Sequence, residues 1–79
     1  MLQSDDERRE ILLELKQYKM PVPVALIATW LHIAEPKIRL HLFHLQEDGL
    51  VEISEIRGNW CVRLSGRGRL RATLVNLRK

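Results

Sequence analysis

Residues 24–50, VALIATWLHIAEPKIRLHLFHLQEDGL, limit the folds open to this chain more than any other stretch. Ile27, Ala28, Leu31, Ile33, Ile38, Leu42 and Leu45 recur at the spacing by which two short helices bury one face against each other. His32 falls at the joint between them. Histidine is one of the few non-glycine residues found at a left-handed turn position, so a turn role is expected. Pro36 suits the first turn of the second helix of the pair, and Asp48-Gly49 closes it.

Around this pair the chain divides cleanly. Ser4-Asp5-Asp6-Glu7 has the pattern of a capping box for a preceding helix, with the acids where the dipole favours them. Ile11, Leu12, Leu15 and Tyr18 form its inner stripe, while Glu7, Arg8, Glu10, Glu14 and Gln17 are expected to face water. It should end near Lys19, ahead of Pro21 and Pro23, and Pro23 suits the first turn of the next helix. After Gly49 the period becomes alternating. Residues 51–56 and 60–64 read as two strands, joined by a three-residue turn at Arg57-Gly58-Asn59. Ser65 can cap a last helix whose Leu70, Leu74 and Leu77 share a stripe. Closure of the monomer core is the slightly favoured use of those leucines, and a homodimer interface the other.

The whole therefore reads as one α+β domain over residues 1–79, with a three-helix core, a two-stranded β-hairpin and a C-terminal helix. Two helices joined by a tight turn make a helix-turn-helix, whose second helix is offered to the DNA major groove; a hairpin directly after it is a wing. Charge distribution points the same way. Residues 1–55 carry six Lys/Arg against ten Asp/Glu, whereas residues 56–79 carry seven Lys/Arg and no acid. Such asymmetry suits a polyanion at one end of the molecule. No apolar run reaches the roughly 18–20 residues of a membrane span. Acids near the amino terminus argue against an export signal, and lone Cys61 allows no intrachain disulfide. A cytoplasmic location with no membrane partner is the expectation.

The segments IATWLHIAEPKIRLHLFHLQEDGLVE (27–52) and VRLSGRGRLRATL (62–74) carry a resemblance. The first resembles the place in bacterial winged helix-turn-helix regulators where the recognition helix runs into "L-x-x-D/E-G-L-V" and a strand. The second is similar to their wing strand ending in "L-T/S-x-x-G-R", as in the multiple-antibiotic-resistance regulator type. The resemblance implies a sequence-specific transcriptional regulator acting on double-stranded DNA. It implies a groove face of Pro36, Lys37, Arg39, Leu40, Phe43 and His44, and a wing tip of Arg57 and Asn59. Arg63, Arg67, Arg69 and Arg71 are expected to add contacts to the DNA backbone.

Leu40 and Phe43 depart from the polar residues usual at such positions. With Leu26 and Trp30 they suggest a second reading, an adaptor that binds a protein partner through an apolar face. The bland alternative has Trp30 and Phe43 packing together at the edge of the core. Small accessory proteins of bacterial ferrous-iron uptake share the size and helix order, but the wing cysteine cluster that some of them carry is absent. His41, His44 and Cys61 lack the paired spacing of a structural zinc site, so polar surface histidines and no metal or cofactor are expected. No nucleophile–base set or phosphate-binding glycine loop is present, and no enzyme is expected.

Overall fold

The computed structural model describes the backbone of residues 4–77 and the side chains of residues 6–74. In chain order the elements are α1 (Ser4–Lys16), β1 (Val22–Pro23), α2 (Val24–Leu31), α3 (Glu35–Glu47), β2 (Val51–Ile56), β3 (Asn59–Leu64) and α4 (Gly66–Leu77). This is a winged helix-turn-helix. Its sheet has three strands among the described residues, in the order β1-β3-β2 and all antiparallel, where two were expected. The added strand is only Val22–Pro23, set against Val62 and Cys61. Two residues carry no alternation to read. Pro23 accordingly precedes α2 instead of starting its first turn.

The local signals for helix ends mostly held. His32 sits at φ 56 and ψ 42, the left-handed conformation expected of it, and Ile33 N–H reaches back to the Ala28 carbonyl at 3.1 Å. Gly49, at φ +75, closes α3 in the same manner, with Leu50 N–H on the Leu45 carbonyl and Gly49 N–H on that of Gln46, each at 2.9 Å. Ser65 caps α4: its hydroxyl accepts the Gly68 N–H at 3.0 Å and donates to the Gly49 carbonyl at 2.6 Å. Helix α1 ends at Lys16, short of the expected Lys19. The Ser4 side chain, expected to cap α1, lies outside the described residues.

One core fills the centre. Ile11 and Leu15 of α1, Ile27 of α2, Ile38 and Leu42 of α3 and Val62 of β3 are fully enclosed, with Ala72 of α4 closing one side. Leu70 and Leu74 of α4 do not join them. Leu70 and Leu74 are 62% and 49% exposed, so core closure falls to Ala72; Leu77 lies outside the described side chains. Trp30 stacks on Tyr18 with centroids 5.4 Å apart, and Phe43 meets Trp60 edge-on at 5.7 Å. The alternative pairing of Trp30 with Phe43 is not formed.

The wing turn is tighter than expected. Ile56 and Asn59 form the last strand pair, so Asn59 belongs to β3 and only Arg57-Gly58 make the turn. Both have positive φ, 53 and 79, as a two-residue type I′ hairpin requires. Arginine is a strained choice there. Arg57→Asn should raise stability by up to about 1 kcal/mol, seen as a higher urea midpoint; an unchanged or lower midpoint would refute stored strain at the tip.

Candidate nucleic-acid interface

Helix α3 presents Pro36, Lys37, Leu40, Phe43 and His44 outward, Leu40 being 55% and Phe43 44% exposed. Arg39 is half-buried. Its guanidinium donates through Nη2 to Glu35 at 2.7 Å and lies with Cζ 4.9 Å from the centroid of the Trp60 ring. Arg39 Nε is buried without a hydrogen-bond partner. Beside it opens a crevice of about 160 Å³ lined by Val24, Ala25, Glu35, Gly58, Asn59 and Trp60. The starts of α2 and α3 and the tip of the wing thus meet in one place. Helix N-termini bring unsatisfied N–H groups and partial positive charge to such a place, which suits phosphate.

The basic residues expected to act together are dispersed by the fold. Arg57 stands exposed at the wing tip. Arg63 is exposed but bound to Glu52 across the hairpin at 2.8 Å. The Arg67 side chain lies beside Gly49, at the far end of α3. Thirteen residues of helix separate the two ends, roughly 20 Å at 1.5 Å per residue. Arg69 is half-buried, donating at 2.8 Å to the Tyr18 carbonyl and so tying α4 to the end of α1. Among the described residues Arg57, Arg67 and Arg71 make no ion pair.

Glu7 and His41 overturn their expected places. Both are buried, 7% and 3% exposed, although the helical pattern put Glu7 toward water and made His41 a surface histidine. His41 Nε2 lies 2.9 Å from Glu7 Oε1, and Lys37 Nζ is 3.1 Å from the same oxygen. Arg8 Nε–H donates to His41 Nδ1 at 3.4 Å, which leaves Nε2–H as the donor to the carboxylate. The signal missed in the sequence was the absence of any competing apolar side chain at position 7, one turn ahead of Ile11. The network anchors α3 to α1, and Lys37, though paired with Glu7, keeps its side chain 52% exposed.

The Glu7 carboxyl is held below its ordinary 4.5, chiefly by the His41 hydrogen bond and further by Lys37, against an opposing push from burial. A depressed carboxyl stabilises the fold above its unfolded pKa, and that contribution disappears as pH falls through the folded value. The stability difference between wild type and Glu7→Gln should therefore be largest above pH 4.5 and close below it. Urea unfolding at several pH values measures this, and a gap that persists into strong acid would refute it.

The apolar face expected from Leu26, Trp30, Leu40 and Phe43 falls into two parts. Leu26 and Trp30 line a groove of about 450 Å³ with Tyr18, Met20, Val22 and Pro23. Leu40 and Phe43 lie on α3, Phe43 against Trp60, and neither lines that groove. No helix among the described residues is long and apolar enough to cross a membrane.

No family model matches the sequence, nor does any curated protein. The fold is that of several solved bacterial structures. It is similar to a MepR mutant from a multidrug-resistant S. aureus clinical isolate, with TM-score 0.82 and 16% identity over 92% of this chain and 55% of that one. A Lactococcus lactis ZitR mutant in apo form gives TM-score 0.81 and 20% identity over 95% and 58%. Streptococcus pneumoniae FabT, solved in complex with DNA, gives 0.80 and 15% over 91% and 52%. The chain thus spans a little over half the length of each. At these identities the likeness is one of fold.

Proposed function

We propose that this domain binds double-stranded DNA and acts as a sequence-specific transcriptional regulator, with α3 in the major groove and the wing tip on the sugar-phosphate backbone. The observation that carries the reading is the convergence of the N-terminal ends of α2 and α3 with the wing tip, where Arg39, Asn59 and the neighbouring Arg57 gather. Recognition helices address base edges with their N-terminal residues, which here are Pro36, Lys37, Arg39 and Leu40. Phe43 and His44 follow on the next turn and meet the groove at its margin. Arg39 is the residue suited to guanine, and Leu40 to a thymine methyl. Lys37, Arg57 and Asn59 serve phosphates. Arg63, Arg67 and Arg71 add only diffuse attraction, and Arg69 is withdrawn to the Tyr18 carbonyl. Solved relatives of the fold described as a transcription regulator, or solved with DNA, support the reading.

A homodimer fits the same proposal. Leu70 and Leu74, one turn apart on α4 and exposed, suit a self-complementary contact with a second copy, which would set two recognition helices about one turn of DNA apart. The adaptor reading keeps one supporting observation, the apolar groove under Leu26 and Trp30. A heteronuclear NMR titration with random duplex DNA separates the readings. Shifts confined to residues 36–44 and 57–59, weakening steeply with salt, support DNA binding. Absence of shifts at low salt would overturn it.

A further inference from the structure

We propose that Trp60, a wing residue, is the positioning residue for Arg39, so that the wing and not the recognition helix alone aims the base-reading arginine. The inference rests on the DNA-binding reading above. Three contacts carry it: the Arg39 guanidinium lies 4.9 Å over the Trp60 ring, Phe43 braces that ring edge-on at 5.7 Å, and Glu35 holds Nη2 at 2.7 Å. A guanidinium stacked on an aromatic face keeps its donors in one plane, with their edge turned outward. Glu35, on the arginine's own helix one turn before it, fixes where the fork sits; Trp60, from β3, fixes how the plane is turned. Nε, buried and unpartnered beside the crevice, leaves a donor without a use inside the protein. A base edge or phosphate entering there would satisfy it. Because Trp60 lies two residues beyond the wing turn, any displacement of the wing by the DNA backbone reorients the arginine as well.

The test uses wild type, Trp60→Leu, Trp60→Phe and Arg39→Ala, each checked for a folded spectrum, with selection from a pool of randomised duplexes followed by salt-dependent affinity for the enriched and the random DNA. Wild type should enrich a guanine-containing site. Trp60→Leu should lose roughly tenfold or more of that preference, as far as Arg39→Ala, while keeping its salt slope on random duplex. Trp60→Phe should keep most of the preference. In the free protein the Arg39 Nε–H resonance should be shifted upfield by the ring current, and Trp60→Leu should remove that shift. A folded Trp60→Leu that keeps wild-type preference overturns the positioning role and leaves DNA binding intact. An Nε–H at its ordinary shift in wild type also overturns it, even if Trp60→Leu does not fold. If wild type binds no duplex at low salt, the DNA-binding reading fails and the positioning role with it.

Discussion

Replacing Gly68 by alanine is expected to destabilise the domain by about 3 kcal/mol, although the substitution lies inside a helix where alanine is ordinarily favoured by about 1 kcal/mol. The reason is a close approach of backbone to backbone. An added Cβ at Gly68 would lie 1.8 Å from the Leu50 carbonyl oxygen, 2.8 Å from its carbon and 3.2 Å from Leu64 Cδ2. That carbonyl cannot turn aside, because it accepts the Ser65 N–H at 3.0 Å while the Ser65 hydroxyl bonds both Gly49 and Gly68. Either α4 lifts away from the end of α3, exposing Ala72, or the start of β2 shifts. For a domain of this size the melting temperature should fall by roughly 12–24 °C, read by circular dichroism. Gly66→Ala, where no atom lies within 4 Å, is the control and should stay within about 1 kcal/mol of wild type. A Gly68→Ala protein that melts near the wild-type temperature would refute the close approach.

The second large effect separates the two ends of α3. Removing Arg39 and Arg57 together should lower duplex affinity roughly 60-fold at 0.1 M salt, and reduce the slope of log K against log salt by about 1.8, if each neutralises one phosphate or its equivalent. Removing Arg67, whose side chain lies by the far end of α3, and Arg71 of α4 together removes the same formal charge and should change affinity less than about threefold. Fluorescence anisotropy against salt measures both. Equal losses from the two pairs would mean that net charge, and not the convergence at the wing tip, governs binding.

How far the sequence was legible depended on how far each signal reaches along the chain. His32, Gly49 and Ser65 act on neighbours within four or five residues, and each was read correctly because the geometry they impose is local. The inner stripes of α1, α2 and α3 were legible from their period. What escaped were partners distant in sequence. Glu7 is buried by His41, 34 residues on, and Arg69 is occupied by Tyr18, 51 residues back. Helical periodicity names a face but not its neighbour. For α4 it marked Leu70 and Leu74 as inward, whereas the close packing that Gly68 permits brings Ala72 to the core. Of the candidate site, the pattern named residues that the fold leaves exposed on α3 and at the wing tip, but the contact of Arg39 with Trp60 and the parting of Arg57 from Arg67 needed the third dimension.

The two-residue strand β1 bears on how many copies can crowd together without harm. In the order β1-β3-β2 the outer strands are β1 and β2. An open edge normally invites another chain to add its own strand and begin a fibril. Here one border is too short to act as a template and includes Pro23, which has no N–H to offer. The other exposes Glu52, Ser54 and Glu55, whose charges repel a like edge. Copies at high concentration can therefore lie side by side without adding strands to one another, each sheet ending within its own domain.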